Sequence, residues 1–175
     1  MLVARPYMTD LFFKRTVILL AEHHSESTIG FIMNKPAGIQ LGDVLDEWKG
    51  ISWPVFNGGP VSRDQLFFVH CHGSEIQDSI SIGNNLFWGG EYKDAVNLIS
   101  NRRATQRTLK FLIGYSGWGN GQLMDELENN NWYIQSADDV LLMRNGSVDL
   151  WGKALENMDN PTAVFANFPD DPCLN

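Results

Sequence analysis

The tripeptide His70-Cys71-His72 sets two zinc-binding residue types side by side. On a strand, alternate side chains leave by opposite faces, so His70 and His72 share one side and Cys71 takes the other. One metal ion cannot collect all three. The expectation is therefore a packed strand end, with no metal and no cofactor. A nucleophilic Cys71 would need a base within reach and a lowered pKa, and its neighbours project away from it, so a buried thiol is expected. Glu22, His23, His24 and Glu26 form a second polar cluster, without a recognised ligand spacing, that reads as a solvated turn.

The third candidate is "FLIGYSGWGNGQL", residues 111–123. An apolar strand followed by glycines and a helix start can aim backbone N–H groups at an anion. Gly114 and Gly119 have half of a phosphate-loop spacing, but Asn120 and Gly121 stand where Lys and Ser or Thr should follow. Gly117, Gly119 and Gly121 miss the dinucleotide spacing. Ser116, two residues after Gly114, sits like a hydrolase nucleophile, but Trp118 takes the place of the second glycine and no His–acid pair completes a triad. The stretch reads as a strand–loop–helix corner with a possible binding role.

The elements that must position these residues follow from periodicity. "RTVILLAEHH" and "TIGFIMN" predict a two-stranded hairpin whose second strand Pro36 ends. "LGDVLDEWKG" predicts a short amphipathic helix with Leu41, Val44, Leu45 and Trp48 on one face. Asn57-Gly58 followed by Gly59-Pro60 marks a turn before the strand "QLFFVHCH". "DSISIGNNLFWGG" predicts a weak strand and turn, and "EYKDAVNLISNR" a helix burying Tyr92, Ala95, Val96 and Ile99. "RTLKFLIGYS" predicts a strand, "QLMDELENN" a helix, "WYIQSA" a strand, and "ADDVLLMR" and "VDLWGKALENM" short closing helices. Strands and helices mixed in this way predict an α+β or complex α/β fold.

At 175 residues the chain fits one domain, expected over 1–158 with an irregular tail over 159–175. No run approaches membrane-span length and no secretory signal is read at the start, so a cytoplasmic protein is expected. Cys71 and Cys173 lie far apart and are expected to be reduced. The six tryptophans, Trp48, Trp53, Trp88, Trp118, Trp132 and Trp151, are expected mostly in the core. A formal charge of −8 disfavours nucleic acid as a partner. The local exception is Arg102, Arg103, Arg107 and Lys110, which could form a basic strip.

Taken in order, "FKRTVILLAEH", "TIGFIMNKP", "NGGPVSRDQLFFVH" and "GYSGWGNGQLMDELENNNW" resemble the YqgE/AlgH family of small bacterial proteins over about residues 2–157. The resemblance implies a single α/β domain with a bifurcated, partly barrel-like sheet surrounded by helices. It also implies a bacterial cytosolic protein without an established activity. Members often carry a transcriptional-regulator label that comes from genetic association; no helix-turn-helix signature is found here. Matching positions are Asn34, Pro36, Gly58, Gly59, Pro60, His70, Gly114, Tyr115, Gly117, Trp118, Gly119, Gln122, Leu123, Glu126 and Trp132, and the tail after Met158 departs from the family pattern.

The expected function is a non-catalytic binding or regulatory module that takes an unknown small molecule or protein partner through the two glycine-rich loops. Its candidate ligand-binding residues are Asn34, Gly58, Gly59, His70, Ser116, Gly117, Trp118, Gly119 and Gln122. They would form a cleft if their segments converge. The alternatives are transcriptional control, acting on DNA directly or through a partner, and an enzyme acting on an unknown small substrate.

Overall fold

The computed structural model describes residues 1–143, 150–158 and 166. Its first strong element is the predicted hairpin of β2 (Val17–His23) and β3 (Ser27–Ile32), closed by a turn in which His24 N–H donates to the Ser27 carbonyl at 2.9 Å. Residues rich in β-branched and leucine side chains suit the pleated, buried surface that β2 presents. The short strand β1 (Leu2–Ala4) lies between β2 and β10 (Trp132–Ile134), so the first and last described strands are neighbours in one sheet.

The longest strand, β9 (Leu109–Gly119), organises the rest. Its first half pairs in parallel with β5 (Pro54–Asn57) and antiparallel with β6 (Val61–His70). Beyond Gly114 it leaves β5, and Ser116–Gly119 pair with β3 instead. The sheet forks at this point. Strand β4 (Pro36–Gln40) extends one branch from β5, while β8 (Leu86–Trp88) and β7 (Ile80–Gly83) continue beyond β6. The whole is a curled half-barrel in a single mixed α+β domain, as the resemblance implied. Its four described helices are α1 (Tyr92–Ser100), α2 (Gln122–Glu128), α3 (Asp139–Leu142) and α4 (Leu150–Glu156).

Two cores lie on opposite faces of the forked sheet. One gathers β1, β2 and β3 with Leu112, Trp118, Trp132 and Trp151, and the other sets Trp48, Trp53, Phe68 and Phe111 beneath α1. Phe68 and Phe111 are buried with ring centroids 5.6 Å apart. Burying a side chain of this size contributes about 1.5–3 kcal/mol. Five of the six tryptophans are buried and Trp88 is partly so.

Several expectations are corrected. Pro36 begins β4 instead of closing a strand: β3 has ended at Ile32, and Pro36 sits opposite Phe56. The helix over residues 41–50 is two 3₁₀ turns, Leu41–Asp43 and Asp46–Trp48, separated by an extended Leu45. The extended Leu45 breaks the helical run, while the N–H groups of Leu41 and Gly42 tie the first turn to the carbonyls of Trp53 and Ile51. In α1, Ala95 and Leu98 are buried and Val96 and Ile99 partly so, while Tyr92 lies near the rim with its hydroxyl donating to the Leu66 carbonyl. Lys110 leaves the basic strip entirely, since its side chain is buried. The tail over 159–175, with Cys173, lies outside the described residues apart from Ala166.

Candidate functional site

The two glycine-rich segments do converge. Gly58 and Gly59 follow β5, and the stretch read as a loop after Ser116 is strand through Gly119. Gly58 N–H donates to the Ile113 carbonyl (2.8 Å), and its own carbonyl accepts from Ile32 N–H (2.9 Å) and from the Ser116 hydroxyl (3.2 Å). A Cβ at Gly58 would lie 2.2 Å from the Gly114 carbonyl oxygen, and one at Gly59 would lie 2.2 Å from that of Tyr115. Gly114 turns through φ +69°, which glycine adopts without strain. The glycines bring backbone against backbone, and this contact forms the fork. Gly117 instead makes room for a side chain, since a Cβ there would stand 3.1 Å from the Tyr115 ring.

Three predicted residues are engaged in holding chain segments. Asn34 is buried; its Oδ1 accepts from Val17 N–H (2.9 Å) and its Nδ2 donates to the Arg15 carbonyl (2.8 Å), which fixes the start of β2. Ser116 is wholly buried, unlike an exposed hydrolase nucleophile. His70, also wholly buried, stacks on Phe87 with centroids 5.6 Å apart and lies over His72 at 6.3 Å. Burial pushes its pKa down to about 4, with the Gly89 backbone acting against that shift and the neighbouring His72 adding to it. A neutral ring on an aromatic stack is the packed strand end expected from the sequence.

The motif that runs from β9 into α2 is organised by Glu126. One carboxylate oxygen accepts the indole N–H of Trp118 (2.9 Å) and of Trp132 (2.7 Å), and the other accepts from Gln122 Nε2 (3.1 Å). Gln122 in turn accepts from Gly119 N–H through Oε1 (3.1 Å). Phe13 packs against both indoles, with ring centroids 6.4 Å from Trp118 and 5.6 Å from Trp132. The network therefore props the β1–β2 connection. Next to half-buried Phe13, that connection carries Leu11 at 90% exposure and Phe12 at 45%, on a turn where the Asp10 carboxylate accepts the N–H groups of Phe12 and Phe13.

The remaining reactive groups are quiet. Cys71 faces away from the histidines into the first core, and burial, with Asp139 nearby, pushes its thiol up to about 11. His23 meets the Thr28 hydroxyl at 2.7 Å on the β2–β3 hairpin, and His24 stands exposed. No group of three or more His, Cys, Asp or Glu side chains that could hold a metal occurs among the described residues. No helix among them is long and apolar enough to cross a membrane. A depression of about 450 Å³ between the 73–79 loop and Phe87 contains none of the predicted site residues.

A family model described as AlgH-like matches residues 1–163. The chain belongs to the AlgH-like family. A UPF0301 protein of Cytophaga hutchinsonii is 35% identical over 99% of this chain and 96% of the relative. One from Chlorobium limicola is 32% identical over 100% and 94%. The solution structure of the AlgH protein of Pseudomonas aeruginosa superposes with a TM-score of 0.74, 27% identity, and coverage of 97% of this chain and 93% of that one. A Corynebacterium diphtheriae protein solved by crystallography gives 0.78 at 24% identity, covering 95% and 90%, and shows the likeness of fold.

Within this AlgH-like chain, the sequence marks Glu126 only as a motif position. The signal available is its i+4 spacing from Gln122, which places both side chains on one face of α2; the reach to Trp118 and Trp132 depends on the corner. Lys110 carries no signal of burial, because alternation would put a charged residue on a solvent face and here both faces of β9 meet a core.

Proposed function

We propose that this AlgH-like protein is a non-catalytic binding module for a protein partner, and that the partner meets the β1–β2 connection. The observation that carries this is Leu11, an apolar side chain 90% exposed on a turn anchored by half-buried Phe13 and the Trp118–Glu126–Trp132 network. Exposed apolar groups held on a rigid support suit a docking surface, where a few buried anchors supply most of the affinity. In this reading Trp118, Gln122 and Gly119 act as the support of the site, Asn34 fixes the start of β2, and Gly58, Gly59 and Ser116 build the fork.

Direct action on DNA gains no support. Of the four expected cations, Lys110 is buried and Arg103 is paired with Glu75, leaving Arg102 and Arg107. An enzymatic reading is weakened by the protonated Cys71 and the enclosed Ser116.

Site-specific photo-crosslinking in bacterial cells, with the probe at Leu11 or, as a control, at Lys49, tests the proposal. A discrete adduct is expected from Leu11 alone, reduced at least tenfold when Phe12→Asp is added. Equal adducts from both positions, or one indifferent to Phe12→Asp in a protein of unchanged melting temperature, would refute it.

A further inference from the structure

Lys110 has no part in partner docking as proposed above. Its position on β9 opposite Val69 of β6 turns the side chain into the first core, where 1% of the residue is exposed. The ammonium donates to the carbonyl of Met33, just after β3, at 3.0 Å and to that of Leu142, the last residue of α3, at 2.9 Å. It also lies over the Phe56 ring, 4.5 Å from the centroid. Without an acidic partner, a buried cation burdens the state that encloses it.

Among the described residues no carboxylate is paired with this charge. On α3, the Asp138 carboxylate accepts from Leu141 N–H and that of Asp139 from Val140 N–H, both at the start of the helix. At the end of β6, Cys71 is a neutral thiol and His70 faces the second core. Lys35, two residues beyond Met33, is itself a cation, and β5 presents only the Phe56 ring.

We infer that Lys110, enclosed between the Met33 and Leu142 carbonyls without a charged partner among the described residues, makes the docking of α3 depend on pH. Burial lowers the amine from 10.5 to about 8. Release of Leu142 lets water reach it and restores the ordinary value. Between about pH 8 and 10.5 the released form thus keeps a proton that the docked form has lost, so docking tightens as pH rises and is weakest with the ammonium charged. At neutral pH the docked state is therefore less favoured than in alkaline solution. From pH 7 to pH 9 the docked-to-released ratio should rise about tenfold.

Native-state hydrogen exchange of the Leu142 and Met143 amides, which donate to Asp138 and Asp139, reads this ratio once intrinsic base catalysis is divided out. The expected result is an approximately tenfold gain in corrected protection from pH 7 to pH 9, absent from the Ile18 and Phe31 amides of the sheet and from Lys110→Met. Protection that is flat or falling with pH overturns the inference, as does a gain shared by the sheet amides or retained in Lys110→Met. If that variant fails to fold, the comparison of helix with sheet amides in the native protein decides alone.

Discussion

Replacing Glu126 by alanine should unfasten the corner where β9 meets α2. The carboxylate receives two indole N–H groups and one side-chain amide, and Trp118 and Trp132 are both buried. An orphaned buried donor costs about 1–3 kcal/mol. Two of them, with partial rescue by water at the half-buried carboxylate, lead us to expect a loss of about 3 kcal/mol. For a chain of this length that is a fall of about 6–12 °C in melting temperature. Glu126→Gln keeps an oxygen for the indoles but sets an NH₂ group against Gln122 Nε2, so a loss of about 1 kcal/mol is expected. Urea unfolding followed by tryptophan fluorescence and circular dichroism measures both. A cycle with Trp132→Phe, which keeps a ring and removes one donor, isolates the pair and should give a coupling above about 0.5 kcal/mol. A loss below about 1 kcal/mol for alanine, or zero coupling in the cycle, would refute Glu126 as the organiser of the motif.

The glycines of one motif should separate sharply. Gly114→Ala places a Cβ 2.7 Å from two carbonyl oxygens at φ +69° and should cost about 3 kcal/mol, whereas Gly119→Ala meets nothing within 4 Å and should stay within about 0.5 kcal/mol by chemical denaturation. His70, held near pKa 4 when folded and 6.5 when unfolded, contributes stability that is complete above about pH 6.5 and lost as pH falls toward 4. The loss should reach about 3 kcal/mol, and His70→Phe should flatten that limb of a stability–pH curve. In a Cys173→Ser background, Cys71 with its thiol near 11 holds about 0.1% thiolate at pH 8, so iodoacetamide should modify it at least a hundredfold more slowly than a free cysteine.

What can be read from the sequence is local. The β2–β3 hairpin, α1, α2 and the start of β9 follow from periodicities of two and 3.6 within one segment. The three-residue β1 has no period to read, and Leu41–Trp48 follows a helical pattern that an extended Leu45 interrupts. The glycine segment reads as a turn because glycine usually marks one. It is strand through Gly119, and Gly114 answers to Gly59 and Val61, more than fifty residues earlier in the chain. The two glycine-rich segments do converge, but the space between them is filled by backbone, and His70, paired with Leu109 at the other end of β9, is not brought to them. Exposed Leu11 gives no warning of itself, since a single apolar residue in a loop carries no signal until its support is seen.

The shared strand β9 also orders events during synthesis. Until residues 109–119 have emerged, β5 has only β4 beside it, β3 has only β2 and β6 has only β8. Neither sheet branch can be completed in a nascent chain shorter than this, and both cores receive their central residues, Leu112 and Phe111, from the same late segment. Pairing in both branches is thus held back until β9 has been made, and the first core waits further for Trp132 and Trp151, so the β5 and β6 edges stay unpaired in shorter nascent chains.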